Sequence, residues 1–172
     1  MGKTAFLFSG QGAQYIGMGT DIQSNPIAKK VFDEAELALG FSINDICNDE
    51  SKINITEFTQ PAILTTSIAI YKALSEVVKP DAVAGLSLGE YSALVAAGVI
   101  DFKDAVQLVH KRGRFMTEAV PTGVGSMAAI IGMESNKIQE VIEDIEGVYI
   151  SNYNCPKQYV IGGYKEGILT AI

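Results

Sequence analysis

The sequence predicts an α/β fold, and three observations carry that prediction. Short apolar runs of strand length, Lys3 to Phe8 and Ala82 to Gly85, alternate with longer segments of helical period. Each run ends in a glycine-rich turn, SGQGAQ after the first and LSLG after the second, so each strand delivers a loop. Beyond Gly125 the order becomes strand, helix, strand, strand, helix, the pattern of a split βαβ sandwich without its last strand.

Taken in order, Lys3 to Phe8 reads as a buried strand. Pro26 to Leu39 follows as a helix, with proline in the first turn, where its missing N–H is harmless, and Gly40 as C-cap. A second helix is expected from Gln60 to Val78, where Lys79-Pro80-Asp81 breaks it. Ala82 to Gly85 is the next buried strand. After Ser87, LGEYSALVAAG is rich in small, helix-favouring residues, and Gly98 stops it. Asp101 caps a longer helix reaching Ala119, with Asp104 where a capping box usually has Glu. The composition then shifts at Pro121-Thr122-Gly123-Val124-Gly125, a linker that sets the predicted domains at residues 1–122 and 123–172. In the second, SMAAIIGM reads as strand, Ser135 to Ile145 as helix, Val148 to Ser151 and Gln158 to Ile161 as strands, and Lys165 onward as helix.

Composition bounds the function. A chain of 172 residues with 48% hydrophobic content can bury a sizeable core, which argues against disorder. A net charge of -7 argues against a nucleic-acid binder, because neutralising phosphates needs clustered Lys and Arg. Cys47 and Cys155 stand in no metal or redox spacing, which suits a reduced, cytoplasmic setting and implies no metal site. The apolar run before Ser9 is too short for a signal peptide, and no segment approaches the roughly 18 to 20 apolar residues that span a bilayer.

The chemistry centres on GLSLGEY, Gly85 to Tyr91. A G-x-S-x-G stretch between a strand and a helix makes a tight, strained bend that pushes the serine out of the sheet, so Ser87 is the candidate nucleophile. Its tetrahedral intermediate needs oxyanion donors, and the N–H of the following residue, Leu88, is one. The second must come from another loop, and SGQGAQ, with Gln11 at its centre, can bring a backbone N–H close. Read instead as a phosphate loop, SGQGAQ misses the dinucleotide glycine spacing and lacks a following G-K-S/T.

Projecting Asp101 to Ala119 at about 100° per residue puts Phe102, Ala105, Leu108, Val109, Phe115, Met116 and Ala119 on one apolar face, with Arg112 in its middle. A guanidinium on such a face needs an anionic partner. Two readings stand: a buried Asp or Glu, or a docking point for a substrate carboxylate, which the planar fork of arginine can grip with two parallel bonds. His110, the single histidine, falls at the polar edge near Lys111 and Arg114 and reads as a solvated residue rather than a base for Ser87.

These motifs together carry a resemblance. FSGQGAQ, TQPAILTTSIA from Thr59, GLSLGEYSALVAAGVIDFKDAV, KRGRFMTEAVP, GSMAAIIGM and SNYNCPKQYVIGG resemble the malonyl-CoA:acyl-carrier-protein transacylase family of acyltransferases, over essentially the whole chain. The resemblance implies an α/β-hydrolase-like large domain with a ferredoxin-like small domain inserted in it, both incomplete here. It implies that Ser87 becomes malonylated, that the backbone N–H groups of Gln11 and Leu88 hold the oxyanion, and that Arg112 binds the malonyl carboxylate. Malonyl-CoA and acyl carrier protein are the implied partners, with no cofactor beyond the substrate. Ser9 stands where the family usually has proline and Leu86 where histidine often precedes the serine; neither supplies the nucleophile or an oxyanion donor. The family's catalytic histidine belongs to a segment after the small domain and is expected beyond Ile172. Three other readings remain: a polyketide acyltransferase, a serine esterase or thioesterase using water as acceptor, and a non-catalytic fragment that binds carrier protein.

Overall fold

The structure, a computed structural model, describes residues 2–119 and 123–172. Pro121 and Thr122 of the expected linker, and with them the predicted boundary after residue 122, lie outside the described residues. The chain forms two compact units, the first ending at Thr117 and the second beginning at Glu118, and its fold is mixed α/β.

In the first unit, β1 (Ala5–Phe8) and β2 (Ala82–Gly85) pair in parallel, Ala5 opposite Ala82 and Phe8 opposite Gly85. Parallel strands that end at the same register release their loops side by side, which brings SGQGAQ next to Leu86 and Ser87. Both strands were expected to be buried, yet only Phe8 is, and Phe6, Val83 and Gly85 are half-buried while the residues between them are exposed. Phe8 is buried, while Leu7 is 79% exposed, because the helices of this unit cover one face of the pair.

α1 (Pro26–Leu39) has the expected bounds. Asn25 Oδ1 accepts from the N–H groups of Ile27 and Ala28 at 2.8 and 3.3 Å, satisfying two donors that a helix start leaves free. The five-residue α2 (Ile43–Cys47) and a 3-10 turn at Asp21–Ser24 were not expected, being too short to show a period. α3 (Thr56–Leu74) begins and ends four residues earlier than the sequence suggests. Pro61 lies inside it rather than in its first turn, and the Ile55 carbonyl opens the helix by accepting from Phe58 and Thr59. At the other end, the N–H groups of Val77 and Val78 both fold back onto the Leu74 carbonyl, so the chain leaves the helix before Pro80 can break it. α1 and α3 enclose a core that includes Val31, Phe32, Ile63 and Ile68. α4 (Leu88–Ala96) and α5 (Phe102–Ala119) complete the set, the latter running into the second unit.

The second unit holds β3 (Gly125–Ile131), α6 (Ser135–Ile142), β4 (Val148–Cys155), β5 (Gln158–Tyr164) and α7 (Lys165–Ala171). Its antiparallel sheet has the order β3-β5-β4, and β4 and β5 form a hairpin longer than expected, closed at Pro156-Lys157. Ile138, Ile142, Val148, Ile161 and Ile168 make its separate core. Among the described residues, no helix is long and apolar enough to cross a membrane.

Candidate active site

Ser87 follows β2 directly and stands at the N-cap of α4 with φ 52° and ψ -107°. For a residue with a Cβ this is a strained conformation, of the kind retained where surrounding structure enforces it. The enforcement is visible. Leu86 N–H donates to the Phe8 carbonyl at 3.2 Å, tying the turn to the end of β1. Gly89 lies so close to that carbonyl that any side chain on it would collide with backbone. The turn is thus pressed against β1, and the exposed Ser87 is lifted clear of the buried Leu88 and Gly89.

The N–H groups of Gly89 and Glu90 are taken by the carbonyls of Leu86 and Ser87. Leu88 is the first residue of α4, so its N–H has no acceptor within the helix and sits at the positive end of the helix dipole. The SGQGAQ loop meets this turn, with Gly10 packed against the Leu86 carbonyl. Gln11 turns its side chain away toward α3, where its Nε2 donates to Thr56 Oγ1 at 3.1 Å and its Oε1 accepts from Gln60 Nε2 at 3.4 Å.

Arg112 reaches the site from α5. Next to it Gly113 is buried, and a Cβ there would lie 2.6 Å from the Thr56 carbonyl and 2.8 Å from Glu57 Cα. Two helices therefore touch almost backbone to backbone, and that contact brings the guanidinium in. Nη1 donates to Gln60 Oε1 at 2.8 Å, Nη2 donates to Ser87 Oγ at 3.3 Å, and the Tyr91 ring centroid is 5.6 Å from Cζ. The buried carboxylate that one reading required is not there: no acidic residue among the described residues pairs with Arg112, and its partners are neutral.

The rest of α5 departs from its helical projection. Phe102, Ala105, Val106, Val109 and Gly113 are buried, but Leu108, Phe115 and Met116 are 44 to 57% exposed. His110 is less solvated than expected, its side chain 24% exposed. It packs edge-on to Phe41 and stacks on Phe58, with Nε2 3.1 Å from Glu57 Oε1. Nε2 is buried there without a well-directed hydrogen bond. A projection of α5 alone contains none of these neighbours. No hydrogen bond joins an imidazole to Ser87 among the described residues.

Sequence reasoning assigned no role to Gln60, Thr56 or Tyr91. Gln60 did carry a signal: it is a polar residue in TQPAILTTSIA, a stretch buried almost throughout, and its own side chain is fully enclosed. Tyr91 lies one helical turn after Ser87, on the same side of α4.

A family profile described as acyl transferase domain matches residues 5–172. The chain is 49% identical to the malonyl CoA-acyl carrier protein transacylase of Bacillus subtilis, an alignment that covers 98% of this chain and 56% of that protein. The structure of malonyl CoA-acyl carrier protein transacylase from Clostridium perfringens matches with a TM-score of 0.90 at 47% identity, covering 99% of this chain and 56% of that one. A malonyl-transacylase solved in complex with a type II PKS acyl-carrier protein matches with a TM-score of 0.89 at 42% identity, over 99% of this chain and 58% of that one. The chain thus spans just over half the length of these relatives.

Proposed function

This chain belongs to the acyl transferase domain family, and from that premise we propose that it carries the nucleophile and the diacid-binding residue of a malonyl-CoA:acyl-carrier-protein transacylase. The first unit is read as part of an α/β-hydrolase-like domain, and the second as part of an inserted ferredoxin-like small domain. The strand-helix-strand-strand-helix order of the second supports that reading.

In the proposed reaction Ser87 Oγ attacks the thioester carbonyl of malonyl-CoA, and its proton passes to a base. The N–H groups of Leu88 and Gln11 hold the tetrahedral oxyanion, the carbon-sulfur bond breaks, and coenzyme A leaves as its thiol. The malonyl ester on Ser87 is then attacked by the phosphopantetheine thiol of acyl carrier protein, which restores the serine. Acyl and proton transfers of this kind need no cofactor, and a cytoplasmic setting suits the free thiols Cys47 and Cys155. We assign the base to the part of the relatives that this chain does not span, since His110 is engaged with Glu57. The structure with a type II PKS acyl-carrier protein favours a polyketide carrier as a second acceptor for the same chemistry.

One observation carries the proposal: a guanidinium with no acidic partner among the described residues lies 3.3 Å from a strained serine hydroxyl. A diacid would satisfy that charge while presenting its thioester to Ser87, and a neutral acyl group would leave it unpaired. Binding of malonyl-CoA and acetyl-CoA by wild-type protein and Arg112→Ala tests this. The expected result is a malonyl preference that the substitution abolishes; equal preference in both proteins would reduce Arg112 to a structural residue.

A further inference from the structure

We propose that Gln60 is a positioning residue that sets acyl specificity, by aiming the Arg112 guanidinium with a group that leaves its positive charge uncompensated. This rests on the reading of Arg112 as the carboxylate-binding residue.

Gln60 is completely buried, and each end of its amide is accounted for. Oε1 accepts from Arg112 Nη1 at 2.8 Å, and Nε2 donates to Gln11 Oε1 at 3.4 Å and contacts Met116 Sδ at 3.2 Å. The opposite amide orientation would set two donors against each other at Arg112 and two acceptors at Gln11, so the network fixes it. With Nη1 held this way, Nη2 is directed at Ser87.

The chemical identity of the residue then matters as much as its shape. Glutamate has nearly the same size and would also accept from Nη1, but it would close a buried ion pair. A substrate carboxylate would then approach a neutralised pair and be repelled by the second anion. An uncharged acyl group would no longer leave a cation unpaired. A neutral amide at this position keeps the guanidinium both oriented and in need of an anion, which is the condition for preferring a diacid. Through Gln11 the same side chain also ties the arginine to the loop assigned an oxyanion donor.

The test is calorimetric titration of the 172-residue chain with malonyl-CoA and with acetyl-CoA, in wild type, Arg112→Ala, Gln60→Glu and Gln60→Met, with circular dichroism to verify folding. A wild-type preference for malonyl-CoA that is lost in Arg112→Ala establishes the premise; its absence sinks the proposed function whatever Gln60 does. Given the premise, Gln60→Glu is expected to cut the malonyl-to-acetyl affinity ratio by at least about tenfold, as loss of one charge-assisted contact implies. Gln60→Met, which removes the aim without neutralising the charge, is expected to cut it by less. A purely structural role would lower both affinities by the same factor, and a wild-type ratio in either variant overturns the proposal. If Gln60→Glu fails to fold, the ratio in Gln60→Met decides the matter alone.

Discussion

Arg112 Nη2 lies 3.3 Å from Ser87 Oγ across 25 positions of sequence. Two independent packing events produce that contact. The parallel pairing of β1 with β2 and the tight seat of Gly89 fix the serine, while the close approach of Gly113 to the start of α3 fixes the arginine. Disturbing either should separate the pair, and the consequences differ.

The first consequence concerns reactivity. Ser87 is hydrogen-bonded to a cation and to no general base among the described residues. Incubated with malonyl-CoA, the chain should therefore acquire a malonyl group on Ser87 slowly, and a longer form extending through the region its relatives share should acquire it rapidly. Intact mass and peptide mapping measure this; fast, complete labelling of the 172-residue chain would show that no further base is needed.

Strain at Ser87 should be measurable as stability. Its φ of 52° is unfavourable for any side chain and open to glycine. Ser87→Gly is expected to raise stability to urea by about 1 kcal/mol, whereas Ser87→Ala keeps the Cβ and should not. Equal midpoints for the two variants would mean that the turn is not under strain.

Gly113→Ala should act in the opposite sense. The new methyl carbon would stand 2.6 Å from the Thr56 carbonyl, a backbone atom that cannot rotate away. Overpacking of this kind costs about 1 to 3 kcal/mol, and pushing α5 outward should weaken malonyl-CoA binding as well. A variant with wild-type stability and affinity would rule out this helix contact as the device that places Arg112.

Cys47 gives a pH dependence. Burial pushes its thiol from about 9 up to about 11, partly offset by the polar hydroxyl of nearby Thr66. The folded-state value is raised, so above pH 9 the unfolded chain releases this proton first. The stabilisation is whole below about pH 9 and is lost as pH climbs toward 11. Denaturation of wild type and Cys47→Ala across that interval should show a steeper decline in the wild type; parallel curves would remove Cys47 as the cause. At pH 8 a thiol reagent should modify the exposed Cys155 long before Cys47.

What the sequence revealed was local in origin. The strand, turn and helix around Ser87 follow from residues adjacent in the chain, and Arg112 stood out because helical period alone marks a charge on an apolar face. The bond from Arg112 to Gln60 joins positions 52 apart and leaves no trace in either local pattern. The start of α3 lies four residues before the expected Gln60, and Pro61 is tolerated inside the helix. His110 was misplaced because Phe41 and Phe58, which cover it, belong to other segments. The outer part of the α5 stripe, Phe115 and Met116, carries the right spacing for burial but stays about half exposed, because too little of the described structure packs over it.

The flush ends of β1 and β2, Phe8 opposite Gly85, act as a ruler for everything built upon them. A slip of one residue would displace one loop against the other by about 3.3 Å, longer than a hydrogen bond, and would turn Phe8 from the core to the outside. A reaction that needs donors placed within a fraction of an ångström thus takes its tolerance from strand registration. The loops can change in sequence while the alignment between them is held by a hydrophobic side chain buried in the core.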